Sequence, residues 1–154
     1  MEMLNIALEA VQANVVLHPY DIRNYLTLSQ LSQIGYTLTG DTRYIGQYGS
    51  YLETALDYSP KRQQIIYNLA NFYLQIGKTD EATKILEQTI QDDVKIGESY
   101  WRLAYTYRLV GKMNKAIETL KLAETNGVVF SQQEQGVIAQ ILAPLPATTP
   151  AKKK

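Results

Sequence analysis

"QQIIYNLANFYLQIGKTDEATKILEQTIQDDV", residues 63–94, and "GESYWRLAYTYRLVGKMNKAIETLKLAETNGV", residues 97–128, align without a gap at an offset of 34 residues. At that offset Leu69 falls on Leu103, Ala70 on Ala104, Tyr73 on Tyr107, Gly77-Lys78 on Gly111-Lys112, Ala82 on Ala116 and Leu86 on Leu120. Self-similarity at such a period marks stacked supersecondary units, each burying its apolar face against the next. Within the second copy Tyr100, Leu103, Ala104 and Tyr107 stand at i, i+3, i+4 and i+7, the spacing of one buried helical stripe. Ala70 and Ala104 let helices approach closely, and Tyr73 and Tyr107 fill the space beside them. Gly77 and Gly111 supply the left-handed residue that ends a first helix.

A 34-residue period with a small residue and a Tyr in its first half, Gly-Lys at its centre and Ala in its second half resembles the tetratricopeptide repeat. The resemblance implies an all-α solenoid of antiparallel helix pairs, about eight helices in this chain, closed by a carboxy-terminal capping helix. Working outward, Ser59-Pro60 stands where the family's punctuating proline belongs, and His18-Pro19 repeats the signal 41 residues earlier, one period plus seven. Residues 19–60 therefore read as a degenerate, lengthened repeat, with helices expected over Asp21 to Leu38 and Thr42 to Tyr58. Residues 1–18 read as an orphan helix, the second half of a repeat whose first half lies outside the chain. Residues 61–94 and 95–128 are the two standard repeats. Asn126-Gly127 is a helix stop, and "SQQE" at 131–134 is a capping box, in which Ser131 and Glu134 satisfy backbone donors reciprocally. Residues 129–143 are expected to cap the apolar face that the last repeat leaves open. "PLPATTPAKKK", residues 144–154, has three prolines and no apolar period, and is expected to be disordered.

The chain's 154 residues suit one ordinary domain, and 45% hydrophobic with 19% charged residues is a globular composition. Fifteen bases balance fifteen acids; with Lys152, Lys153 and Lys154 set aside, acids outnumber bases by three, which is no footprint for nucleic acid. No apolar run approaches the roughly 20 residues of a spanning helix, and the start "MEM" has no basic leader region, so neither membrane insertion nor a signal peptide is expected.

Absent cysteines exclude disulfides, thiolate metal sites and a Cys nucleophile. His18 is the only histidine and sits in a turn, so zinc and haem lack ligands. Asp80-Glu81 opens a helix, where acids suit the dipole, and Asp92-Asp93 closes one by a loop; both read as solvated faces. Gly35, Gly40, Gly46 and Gly49 lack phosphate-loop spacing. No cofactor, metal or catalytic group is expected.

The resemblance instead implies a surface. First helices of successive repeats line a concave groove that takes extended peptides or partner segments. The family's groove positions map here onto Gln64, Tyr67, Asn68, Asn71, Leu74 and Gln75, then onto Glu98, Trp101, Arg102, Tyr105, Arg108 and Leu109. The degenerate repeat adds Arg23, Leu26, Gln30 and Gln33. Trp101, Tyr105 and Arg108 are spaced i, i+4, i+7 on the stripe beside the buried one, and Tyr67 matches Trp101 one unit earlier. These aromatics, with Arg102 or Arg108 beside them, suit stacking on a partner's aromatic, proline or sugar ring. The competing reading packs Trp101 against the capping helix or a neighbouring repeat.

Some members of the family grip a chain-terminal carboxylate with a Lys/Asn/Arg clamp; Asn71 fits one clamp position, but Trp101 and Tyr105 stand where cations are needed. The expected function is a non-enzymatic module binding a protein or peptide in the groove. Two alternatives accompany it. "HPYDIRNYLTLSQL" and "SPKRQQIIYNLANFYLQIGK" look similar to the tetratricopeptide tails of O-antigen ligase-like and polymerase-like bacterial membrane proteins, which would make the chain an extracytoplasmic accessory domain. Incomplete end repeats, helped by Tyr44, Tyr48 and Tyr51, would instead stack copies of the chain on one another.

Overall fold

The computed structural model describes residues 1–144; the expected tail lies outside the described residues from residue 145 onward. Eight α-helices and no strand occur among the described residues: α1 Glu2–Leu17, α2 Ile22–Thr39, α3 Thr42–Tyr58, α4 Gln63–Gln75, α5 Thr79–Asp92, α6 Gly97–Leu109, α7 Met113–Thr125 and α8 Gln132–Leu142. The chain divides into two compact units, the first ending at Gln91 and the second starting at Asp92.

In the amino-terminal unit α2 packs on α3, α1 on α2 and α4 on α3. Leu4, Leu8 and Leu28 form one apolar cluster, joined by Val11, Val15, Leu31, Tyr44 and Tyr51. Tyr25, Leu26, Tyr48, Leu52, Ala55, Ile65, Leu69 and Phe72 form the larger one, against which Val15, Tyr51 and Ile85 also pack. The shared Val15 and Tyr51 make the core continuous from α1 to α4. Two glycines permit the closest helix approaches. A Cβ on Gly35 would stand 2.7 Å from Tyr44 Cδ1, and one on Gly49 would overlap the Phe72 ring. Gly35 and Gly49 thus make room for aromatic rings.

The three tyrosines of α3 do not form an outer apolar surface. Tyr48 is buried, with its hydroxyl donating to the Asn68 carbonyl at 3.3 Å. Tyr44 and Tyr51 are half-buried in the unit's own clusters. The end-repeat stacking reading loses that part of its support, because the ring area is already spent inside.

Helices α2 and α3 open on the same device. Asp21 and Asp41 are N-caps whose carboxylates accept the backbone N–H of Arg23 (3.0 Å) and Arg43 (2.9 Å), while the same arginine's guanidinium closes back on the carboxylate. The Arg23 side-chain bond, followed by its backbone N–H, holds the Asp21 carboxyl down to about 2. A depressed carboxylate contributes stability that is complete above the ordinary range near pH 4 and is lost as pH falls through about 2. A carboxyl-carbon NMR titration is therefore expected to place the Asp21 midpoint near 2, with the Arg23 amide shift following it. A midpoint in the ordinary aspartate range removes the cap.

The carboxy-terminal unit pairs α6 with α7 and lays α8 on α6. The central Gly-Lys of each standard repeat does the same work in both units. Gly77 and Gly111 take positive φ (76° and 74°), and Lys78 and Lys112 donate to the Tyr73 and Tyr107 carbonyls, each at 2.8 Å. The expected Ser131–Glu134 capping box forms at the start of α8.

A tyrosine latch recurs as well. Tyr25 donates to the Pro19 carbonyl at 2.8 Å, and Tyr100 donates to the Val94 carbonyl at 3.0 Å, both six residues back in the loop that leads into the helix. In the second unit the latch extends: Asn126 Nδ2 donates to the Tyr100 hydroxyl at 2.7 Å, and Lys95 Nζ donates to the Asn126 carbonyl at 2.6 Å. The end of α7 is thus tied to the start of α6.

Candidate functional site

Helix α6 carries the expected aromatic and basic groove positions Trp101, Arg102, Tyr105 and Arg108. Its inner stripe is consumed by the fold, since Tyr100, Leu103, Ala104 and Tyr107 are all buried. Beside it Trp101, Arg102 and Arg108 are half-buried and Tyr105 is 43% exposed. The Arg102 guanidinium is held by Glu98, with Nε and Nη2 donating to Oε1 at 2.9 and 2.6 Å. Held there, it lies 4.6 Å from the Trp101 ring centroid, a cation–π stack that keeps the indole oriented. The Trp101 indole N–H is closed off from solvent and has no hydrogen-bond acceptor. One turn on from Tyr105, Leu109 is exposed, so Trp101, Tyr105 and Leu109 form an i, i+4, i+8 ridge.

Arg108 does not belong to that open ridge. Its Nη1 donates to the carbonyls of Gln140, Ile141 and Ala143, the last at 3.0 Å. The last carbonyls of a helix lack intrahelical donors and carry the negative end of its dipole, so a guanidinium there caps α8. Nothing local in the sequence distinguished a groove arginine from this cap, because its acceptors lie more than 30 residues away.

In the amino-terminal unit the expected groove positions of α4 divide. Gln64, Asn71 and Gln75 are exposed, and Asn68 and Leu74 are half-buried. Tyr67 is 4% exposed, so its ring fills the interior and is not offered as a stacking surface. On α2, Arg23 and Gln30 are exposed and Gln33 is half-buried, whereas Leu26 is a core residue. The residues that match at one repeat position thus differ in burial: Tyr67 is buried and Trp101 is half-buried.

His18 is the carboxy-terminal cap residue of α1, donating its backbone N–H to the Asn14 carbonyl at 2.8 Å. No group of three metal-ligating side chains gathers among the described residues. None of the described helices is long and apolar enough to cross a membrane.

Comparison with known proteins places this architecture. A family model for the tetratricopeptide repeat matches residues 49–105, and a second tetratricopeptide model matches residues 97–125. Among solved structures the chain is similar to a thermophilic tetratricopeptide protein of Thermus thermophilus, with TM-score 0.72 and 22% identity over 92% of this chain and 74% of that one. It is also similar to a MamA protein, with TM-score 0.62 and 20% identity over 93% of this chain and 70% of that one. A second MamA structure gives TM-score 0.59 and 16% identity, covering 81% of this chain and 68% of the other. No curated protein sequence matches the chain. The two family matches together run from residue 49 to residue 125, half of the chain, over the stretch where the internal repeat and its Gly-Lys turns were found, and the chain belongs to the tetratricopeptide repeat family.

Proposed function

We propose that the chain is a non-enzymatic protein-interaction module and that the ridge Trp101, Tyr105 and Leu109 of α6, flanked by Arg102, is its contact face for a peptide or partner segment. The observation that carries this reading is Tyr105, a large amphipathic ring left 43% exposed beside an indole already oriented by Arg102. Tyr, Trp and Arg are the residue types that dominate binding energy at interfaces, because they bring large area at low entropic cost. Gln64, Asn71 and Gln75, exposed on α4, are by themselves a separate set of carboxamides suited to hydrogen-bonding an extended backbone.

The test is selection of peptides from a random display library on the intact chain, followed by affinity measurement on the alanine variants. Tyr105→Ala and Trp101→Ala are each expected to weaken the selected peptides by about 30-fold or more, the loss of one hot-spot side chain. Thermal stability should change little for Tyr105→Ala, a surface substitution worth within roughly 0.5 kcal/mol. Selected peptides that bind Tyr105→Ala as tightly as the parent protein would place the contact face elsewhere.

A further inference from the structure

Asn126 is the only asparagine of the chain followed by glycine. That pairing is chemically vulnerable, because glycine carries no side chain to shield its amide nitrogen from the carboxamide before it. Here the pair closes α7 and is held at three points. Asn126 Nδ2 donates to the Tyr100 hydroxyl at 2.7 Å, Lys95 Nζ donates to the Asn126 carbonyl at 2.6 Å, and the Gly127 N–H donates to the Glu124 carbonyl at 2.9 Å. The Asn126 ψ of 2° sets the Gly127 nitrogen roughly a third of a turn from Cβ about the Cα–C bond, away from the carboxamide carbon. Gly127, at φ 68°, forms the left-handed stop.

We propose that Asn126 is a deamidation site gated by the Tyr100 latch, protected while the latch is closed and converted to aspartate or isoaspartate when it opens. The proposal is independent of the α6 contact face. Opening frees the carboxamide and lets ψ rotate until the Gly127 nitrogen faces Asn126 Cγ. That nitrogen then loses its proton to solvent and bonds to Cγ, the Cγ–Nδ2 bond breaks, and Nδ2 leaves as ammonia with a proton taken from water. Water adds to one carbonyl of the resulting succinimide and breaks its bond to the Gly127 nitrogen, which regains a proton.

The latch cannot re-form around the product. Tyr100 has one hydroxyl hydrogen, given to the Val94 carbonyl at 3.0 Å, so the side chain at position 126 must supply a donor. A carboxylate supplies only acceptors and competes with Val94 for that hydrogen. Deamidation therefore unties the end of α7 from the start of α6, and does so irreversibly.

Peptide mass mapping of the intact chain, aged at mildly alkaline pH, reads the exchange of ammonia for water at each asparagine. Asn126 is expected to convert at least about 10-fold faster in urea than in the folded protein, since the folded rate is set by the fraction of open latch. Folded Tyr100→Phe is expected to convert about 5-fold faster than the parent, the population change that one lost hydrogen bond brings, and at the parent's rate in urea. Lys95→Gln, at an exposed position, is expected to convert about 3-fold faster and decides the question if Tyr100→Phe does not fold. Ile141→Val trims the core of the same unit without touching the latch, and is expected to convert at the parent's rate. Asn126→Asp, the product itself, is expected to show about 5-fold faster amide exchange at position 126 and at Val128, whose N–H groups close α7 onto the Leu122 and Ala123 carbonyls. Equal parent rates in the folded state and in urea, a folded Tyr100→Phe no faster than the parent, Ile141→Val accelerating as much as Tyr100→Phe, or unchanged exchange in Asn126→Asp would each overturn the proposal.

Discussion

Tyr100→Ala is expected to destabilise the carboxy-terminal unit by roughly 3–5 kcal/mol, the range for removing a fully buried aromatic ring. Tyr100 has no exposed surface, and it is the residue through which the start of α6, the loop before it and the end of α7 meet. Removing it opens a ring-sized cavity and strips the Val94 carbonyl and the Asn126 amide of a partner. A unit of this size has total stability of only a few kcal/mol, at roughly 0.05–0.15 kcal/mol per residue. Hydrogen exchange should therefore show α6 to α8 losing protection together. Tyr100→Phe separates the two contributions: it keeps the ring and removes only the latch, for about 1 kcal/mol. If Tyr100→Ala and Tyr100→Phe cost the same, the latch and not the ring holds the unit, and the packing account is wrong.

Gly49→Ala is expected to destabilise the amino-terminal unit by about 1–3 kcal/mol, although alanine is the better helix former by about 1 kcal/mol. The added methyl would occupy the space of the Phe72 ring. Phe72 cannot swing aside freely, because Tyr48 meets it edge-on at 5.7 Å between ring centroids and Tyr73 packs at 5.6 Å. The strain therefore passes to α3 and α4, whose contact sits in the main cluster of the unit. Thermal unfolding of Gly49→Ala, Phe72→Leu and the double variant measures the coupling. The double variant should be more stable than the sum of the single losses allows, since the smaller side chain vacates the space the methyl takes. Strict additivity would show that the two positions do not collide.

Both predictions rest on residues whose importance was unevenly visible in the sequence. Tyr100 was marked as scaffold by its place on the i, i+3, i+4, i+7 stripe, and the structure buries it. Its hydroxyl network was not marked, because Asn126 lies 26 residues away and no period connects them. The packing role of Gly49 was not marked, since a glycine that accommodates a ring on another helix leaves no local pattern.

What the sequence by itself determined is the repeat architecture. A 34-residue self-similarity, the apolar stripe at helical spacing, Gly77 and Gly111 at the turns, and the Ser131–Glu134 box are local signals, set by backbone geometry within a turn or two. They specify helices, caps and turns wherever they occur. What only the tertiary structure decided is which side chains stay exposed. Tyr67 and Trp101 occupy one repeat position, yet the first is buried and the second half-buried. Arg108, one turn from Tyr105, is taken by carbonyls at the end of α8. The rings of Tyr44 and Tyr48 are spent in the core, while Met3, Ile6 and Leu17 of α1 stay exposed. Exposure depends on contacts between residues tens of positions apart, whereas helix period and capping depend on neighbours along the chain.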